Sequence, residues 1–194
     1  FHLQPHGLAY QLEFYPSNAI NAPLPTAERL QENDEFWKRA ETEAVGAVAA
    51  FISRPENAED SGLAGRLMAW AHLRREPNAQ ASAVAPYYSH ALNYWAVQLQ
   101  RSGRLENAAR CFTRAKELNR DNVVAGLNLE YNANLRAGKA APTKLSKTVE
   151  DQFGKYRNWA QVTGQNGPFD EPSFCYELGR VFAQGGLYRQ AAQQ

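Results

Sequence analysis

Sulfur-containing residues are scarce in this chain, whose 194 residues include two cysteines and one methionine. Cys111 and Cys175 belong to no Cys-x-x-Cys pair and to no cysteine–histidine cluster, which argues against a zinc site. Both fall in segments with helical periodicity, where a free cysteine usually serves as a small buried apolar residue. A disulfide between them is the alternative.

Long apolar runs and an excess of one charge are also missing. No stretch approaches the roughly 20 apolar residues that span a bilayer, and no signal-peptide pattern opens the chain. The formal net charge of +1 argues against a nucleic-acid partner, which would require a clustered basic face. The pattern starts abruptly at Phe1 and stops within a helical segment at Gln194, so we expect a piece of a longer polypeptide whose compartment does not follow from these residues.

Patterns typical of catalysis are absent as well. The four histidines, His2, His6, His72 and His90, are scattered along the chain. There is no Gly-x-Ser-x-Gly, no phosphate-binding glycine loop and no His-Glu-x-x-His. We therefore expect no catalytic residue, no metal site and no cofactor. A self-contained helical enzyme is the least favoured interpretation.

The first residues alternate between apolar and polar side chains, and one predicted face holds Leu8, Tyr10, Leu12 and Phe14. A period of two predicts a half-buried strand, and the preceding Pro5-His6-Gly7 predicts a turn. Together they predict a short N-terminal β-hairpin. A proline-bearing linker follows, so that hairpin and linker occupy residues 1–26.

From about Asn33 the apolar period becomes helical, and Pro55 ends this first helix. A second helix is predicted over residues 60–76, and a third begins around Pro86, where proline suits a first helical turn. No strand is predicted after that point. The fold class is therefore all-α, with a helical connector over residues 27–85 and helical repeats over residues 86–194.

An internal repeat appears when two alanines are aligned. Thirteen, twelve, nine and five residues before Ala108 stand Trp95, Ala96, Leu99 and Gly103. The same offsets before Ala191 give Leu178, Gly179, Phe182 and Gly186. A large residue beside a small one lets two helices approach closely, and glycine after the first helix supplies a left-handed stop. After Ala108, Phe112 and Ala115 are predicted to cover the next unit.

This arrangement resembles the tetratricopeptide repeat, a helix–turn–helix unit, and the resemblance implies a helical-hairpin solenoid. The units are placed near residues 89–122, 123–171 and 172–194. The middle one is degenerate, because Glu130 replaces the small residue and Pro142 stands where the second helix favours alanine. It carries a long predicted helix with Leu145, Val149, Phe153, Tyr156, Trp159 and Val162 on one side, followed by the loop 164–169. The third is truncated. An ordinary helical hairpin with glycine in its turn is the alternative.

In such a solenoid the first helix of each unit lines a concave groove. The groove residues predicted here are Asn93, Val97, Gln100, Arg101, Leu127, Asn128, Tyr131 and Asn134. These amide-rich positions are suited to hydrogen-bonding an extended peptide or a partner helix, although a simple solvated face explains them equally well. Asn128 matches an asparagine with which some tetratricopeptide domains hold a carboxylate. Val97 departs from that pattern, so no carboxylate clamp is expected.

The N-terminal residues 1–8, together with Glu35-Phe36-Trp37, resemble the soluble tail of large bacterial membrane proteins of glycosyltransferase-like type. From the tetratricopeptide-like units we expect a protein–protein interaction module that binds a peptide or partner protein in the groove. The alternative is an extramembrane accessory domain of such a membrane protein, tethered to a bacterial inner membrane. The uncapped end of the truncated unit also predicts self-association.

Overall fold

The computed structural model describes residues 1–16, 19, 21–53, 78–139 and 153–193. These residues are mostly helical, which confirms the expected all-α class. The helices are α1 (Ala27–Ala40), α2 (Gly46–Ser53), α3 (Ala79–Arg101), α4 (Leu105–Leu118), α5 (Val123–Arg136), α6 (Trp159–Asn166), α7 (Pro172–Gln184) and α8 (Tyr188–Gln193). A π-helical segment, Glu41–Val45, joins α1 to α2.

Two short antiparallel strands precede the helices. Strand β1 (His2–His6) pairs with β2 (Ala9–Glu13), so that His2 lies opposite Glu13 and His6 opposite Ala9. The turn consists of Gly7 and Leu8. The prediction of a turn at residues 5–7 was therefore wrong by one to two positions, because Pro5 pairs within β1.

The predicted half-buried face of these strands is mostly exposed. Leu8 is 46%, Leu12 60% and Phe14 77% accessible, whereas the half-buried Tyr10 packs against Tyr94 of α3. The strands are attached to the helices through polar contacts instead. The Tyr94 hydroxyl of α3 donates to the Leu3 carbonyl at 3.2 Å. Because hydrogen bonds attach the strands, no apolar face of the strands has to be buried. This explains why the predicted half-buried face is exposed.

Helix α1 begins six residues earlier than the expected start at Asn33, because the Thr26 hydroxyl caps it by accepting from the Arg29 amide. Asn33 is buried inside the helix. Its side-chain oxygen accepts from the Gly7 amide at 2.8 Å, and its nitrogen donates to the Pro5 carbonyl at 3.2 Å. An asparagine that looks like a helix start in sequence thus holds the strand turn.

Helix α3 also begins earlier than predicted. The Asn78 side chain accepts from the Ala81 amide and caps the helix, so Pro86 lies inside it rather than in its first turn. The boundary predicted between residues 85 and 86 therefore falls within one helix. The second predicted helix, residues 60–76, lies outside the described residues, and so does the first part of the long helix predicted before Val162.

Helices α3 and α4 pack along the positions found by the repeat. Trp95, Ala96 and Leu99 are buried in one core with Ala108 and Phe112. Residues from α1, the π-helical segment and α2 also belong to this first core, among them Trp37, Val45 and Ala49, and so does Ala125 of α5.

The glycine stops are confirmed. Gly103 has φ +77° and Gly186 has φ +76°, in the left-handed region expected for them. In both turns the next amide donates to a carbonyl five residues back: Arg104 to Leu99 and Leu187 to Phe182. Such bonds satisfy carbonyls that a helix end leaves unpaired.

A second core joins α5, α6 and α7. It contains Val124 and Leu127 of α5, Val162 of α6, and Phe174 and Leu178 of α7. The long helix predicted through residues 153–162 is interrupted, because Asn158 caps α6 and turn residues precede it. Gly164, predicted to open a loop, lies within α6. No helix in the described ranges has the length and apolar character to cross a membrane.

Two glycines allow a matched test of the turn geometry. An added Cβ meets nothing within 4 Å at either Gly103 or Gly164, but only Gly103 has positive φ. Gly103→Ala should therefore lower the free energy of unfolding by about 1–2 kcal/mol. Gly164→Ala, in a helix interior, should raise it by about 0.5–1 kcal/mol. Urea denaturation measures both, and a loss at Gly164 equal to that at Gly103 would contradict the assigned conformations.

Candidate functional site

The eight predicted groove residues do not form an open surface. Asn93, Val97, Gln100, Leu127 and Asn128 are all buried. Val97 belongs to the first core and Leu127 to the second. Arg101 remains exposed, and Tyr131 and Asn134 are half-buried. The alternative of a solvated face therefore does not hold at these five positions: another part of the chain binds Asn93, Gln100 and Asn128, and Val97 and Leu127 are buried in apolar cores.

The covering part consists of the last residue of α6 and the segment between α6 and α7, residues 166–171, which we call the docked loop. We call four side-chain amides of α3 and α5 the amide groove: Asn93, Gln100 and Asn128, which bind the docked loop, and Asn132, which binds Gln100. Asn132 donates to the side-chain oxygen Oε1 of Gln100 at 2.8 Å and to the Leu105 backbone carbonyl at 3.0 Å. The groove thus runs along two neighbouring helices.

Asn93 and Asn128 bind the backbone of the docked loop. Their side chains are joined by a 2.9 Å bond from Asn128 Nδ2 to Asn93 Oδ1. Asn93 Nδ2 donates to the Asn166 and Pro168 carbonyls, and Asn128 Nδ2 also donates to Pro168. Asn128 Oδ1 accepts from the Asp170 amide at 2.9 Å. The pair therefore contacts two carbonyls and one amide of a neighbouring segment.

Asp170 is the charged contact of the docked loop. Gln100 Nε2 donates to one carboxylate oxygen at 2.7 Å, and Arg101 Nε donates to the other at 2.6 Å. Burial raises the pKa of the Asp170 carboxyl above its ordinary value, while the Arg101 guanidinium opposes that rise. A carboxylate in this position is stabilised mainly by the arginine.

Gly167 and Phe169 fit the groove by shape. Gly167 has φ +91°, and a Cβ there would lie 2.7 Å from Asn93 Nδ2. Phe169 is completely buried and lies almost parallel to Phe174, with ring centroids 5.2 Å apart. The Trp159 and Phe169 rings meet edge to face, with centroids 5.8 Å apart. The groove therefore leaves no room for a side chain at residue 167, whereas the second core holds a large side chain at residue 169.

His90 links the groove to the N-terminal strands. Its Nδ1 lies 3.1 Å from the Tyr10 hydroxyl, and its carbonyl lies beside Gly167. Burial lowers the pKa of the imidazole below 6.5, partly opposed by a hydrogen bond to the Thr163 backbone. The neutral ring accepts from Tyr10 only while Nδ1 carries no proton.

A cavity of about 470 Å³ continues from the docked loop along α7. Its lining residues are Arg101, Asp170, Pro172, Cys175, Tyr176, Gly179, Arg180, Ala183 and Ala191. Burial raises the pKa of the Cys175 thiol to about 12, so the thiol is protonated and a poor nucleophile at neutral pH. Within the described ranges, no three histidine, cysteine, aspartate or glutamate side chains gather as metal ligands.

Several residues of the site were missed from sequence. Asp170 and Asn132 were not singled out, and Asn122 was only the end of a repeat unit. The Asn122 side chain caps α5 and donates to Ser89 and to the Asn166 carbonyl. An asparagine just before a helix is a local signal that could have indicated Asn122. Asp170 has no such signal, since its partners lie about 70 residues away in the chain.

No family model, curated protein or solved structure matches the chain. The site is therefore interpreted from its own geometry.

Removing the Asn128 side chain should open the docked loop. Asn128→Ala leaves the Asp170 amide and Asn93 Oδ1 without their partners, so we expect a loss of about 3 kcal/mol in the free energy of unfolding. Hydrogen exchange at the Asp170 amide should accelerate. Asn107→Ala, which removes only an exposed bond to Arg110, is the control and should change stability by less than about 0.5 kcal/mol. Equal effects of the two changes would refute the role of Asn128.

Acidification should weaken the fold through His90. Because the folded pKa lies below the unfolded 6.5, the unfolded state binds more protons in the window between the two values. The neutral His90 ring therefore contributes fully to the free energy of unfolding above about pH 6.5, and this contribution is lost as the pH falls from there through the pKa of the folded state. His90→Gln should flatten this dependence in urea titrations between about pH 7 and about pH 5. If the free energy of unfolding depends on pH as steeply in His90→Gln as in the wild type, other groups cause the dependence.

Proposed function

We propose that this chain is a protein–protein interaction module built from tetratricopeptide-like helix pairs, which binds a peptide or partner protein along the amide groove. The observation that carries the proposal is the bonding of Asn93 and Asn128 to the backbone of a separate segment. Side-chain amides that contact carbonyls and an amide of an irregular segment can bind a peptide largely independently of its side chains.

The arrangement of helices supports the same proposal. Helices α3 and α4 meet through Trp95, Ala96 and Ala108, and a left-handed glycine follows the first helix of the α3–α4 and α7–α8 pairs. Stacked pairs of this kind form a solenoid with a concave face. Because α3 and α5 supply the amide groove, we place that face between them.

A partner peptide would take the place of the docked loop, and the cavity beside Asp170 would extend its path. The loop continues directly into α6 and α7. The loop also competes from within the same chain, where tethering gives effective concentrations of the order of millimolar. Partners therefore bind when their contacts exceed those of the loop.

A second candidate function is that of an accessory domain in a larger membrane-bound protein. It is favoured by four apolar side chains on the N-terminal strands and their flanks that are exposed by 47–77%: Phe1, Leu3, Leu12 and Phe14. Phe1 and Phe14 contact each other at 4.4 Å between ring centroids. Apolar groups gathered in this way are typical of a contact surface. The complete open reading frame would show whether membrane helices precede Phe1.

Selection of random peptides on the full chain tests the groove assignment. In a chain whose docked loop is already opened by Gly167→Val, we expect binders whose affinity falls at least about tenfold when Asn128→Ala is added, because the backbone contacts to the peptide are lost while the competing loop is absent. Arg110→Ala, on the exposed side of α4, should leave the affinity unchanged. Isothermal titration measures both, and circular dichroism verifies that both variants stay helical. Selected peptides that bind the two variants equally would remove the groove from the proposal.

A further inference from the structure

The docked loop meets the amide groove with a defined order of residue types. Its sequence over residues 166–171 is Asn-Gly-Pro-Phe-Asp-Glu. The carbonyls of residues 166 and 168 and the amide of residue 170 are held by Asn93 and Asn128. These three backbone contacts fix the register of the segment, so each side chain faces a defined surrounding.

The first two positions of the register favour glycine and then proline. At residue 167 the positive φ and the 2.7 Å approach to Asn93 leave no place for a Cβ. At residue 168 the carbonyl is bonded by both asparagines, and proline lowers the number of conformations open to a free peptide. It also has no amide hydrogen that would need a partner.

The next two positions favour an aromatic and then an acidic residue. Phe169 is completely buried in the second core, which α5 contributes to through Val123, Val124 and Leu127. At residue 170 the carboxylate receives bonds from Gln100 and Arg101. Charge-assisted bonds of this kind are stronger than neutral ones and select for an acid.

We propose that the amide groove recognises extended segments with the order glycine–proline–aromatic–acid, and that residues 166–171 are an internal copy of this ligand. The proposal rests on the proposed function, and it names the class of peptide that the groove takes. In the resting chain the internal copy fills the groove. A partner peptide of the same order binds once that copy is displaced.

The test uses the full chain and a fluorescent peptide with the sequence of residues 165–172. Gly167→Val should expel the internal copy, because the valine side chain would overlap Asn93. Gly164→Val is the matched control, since an added Cβ there meets nothing within 4 Å. Hydrogen exchange at the Asp170 amide reports whether the loop has opened, and circular dichroism reports whether the helices remain.

We expect the peptide to bind Gly167→Val at least about tenfold more tightly than wild type or Gly164→Val. Peptides with valine in place of the glycine, or alanine in place of the aspartate, should bind that variant at least about tenfold more weakly. If Gly167→Val does not fold, Asp170→Ala replaces it, because the peptide then carries a carboxylate that the internal copy lacks.

A folded variant with an open loop that binds the peptide no better than wild type would overturn the proposal. Equal binding of the altered peptides would overturn the residue order. If this peptide fails while selected peptides still bind in a manner that depends on Asn128, the ligand class is wrong and the proposed function stands. If both fail, the proposed function fails as well.

Discussion

The bond between the side chains of Asn93 and Asn128 occupies the centre of the structure. Both asparagines are fully buried, and their remaining hydrogen-bonding groups bind the docked loop. Buried amides are costly when unpaired, so this set of bonds is stable only when all its members are present. The contact between α3 and α5, the end of α6 and the start of α7 consequently depend on it together.

Polar contacts of the same kind join the other parts of the molecule. The strand pair is attached to α1 by Asn33 and to α3 by Tyr94 and the Tyr10–His90 contact. The first apolar core extends from α1 and α2 through α3 and α4 to Ala125 of α5, and the second joins α5, α6 and α7. Helix α5 therefore contributes to both cores. Apolar packing tolerates shifts that hydrogen-bond geometry does not, so the polar contacts restrict the placement of these parts further.

Local patterns explain which features could be predicted from the sequence. Trp95, Ala96, Leu99 and Gly103 follow helical spacing, which made the α3–α4 turn predictable. Asn93, Gln100 and Asn128, three of the predicted groove residues, all bind the docked loop in the structure. The occupant of that site could not be predicted, because Asp170 meets Arg101 across 69 positions and carries no periodic signal. The helix starts predicted at Asn33 and Pro86 were wrong for a related reason. Asn33 forms tertiary hydrogen bonds inside α1, and Asn78 caps α3 eight residues before Pro86, so the local preferences of Asn33 and Pro86 did not decide where these helices begin.

A buried amide network can serve either to stabilise a fold or to recognise a ligand, and the bonds are the same in both cases. What differs is the free energy needed to open it. Releasing the docked loop exposes Phe169 and separates Asp170 from Arg101, so opening is costly and the groove is closed most of the time. The apparent affinity for any partner is reduced by the small open fraction. Under the proposed function, such a groove discriminates by competition: a peptide that matches the internal segment closely replaces the bonds that this segment gives up, whereas a poorly matching peptide cannot displace it.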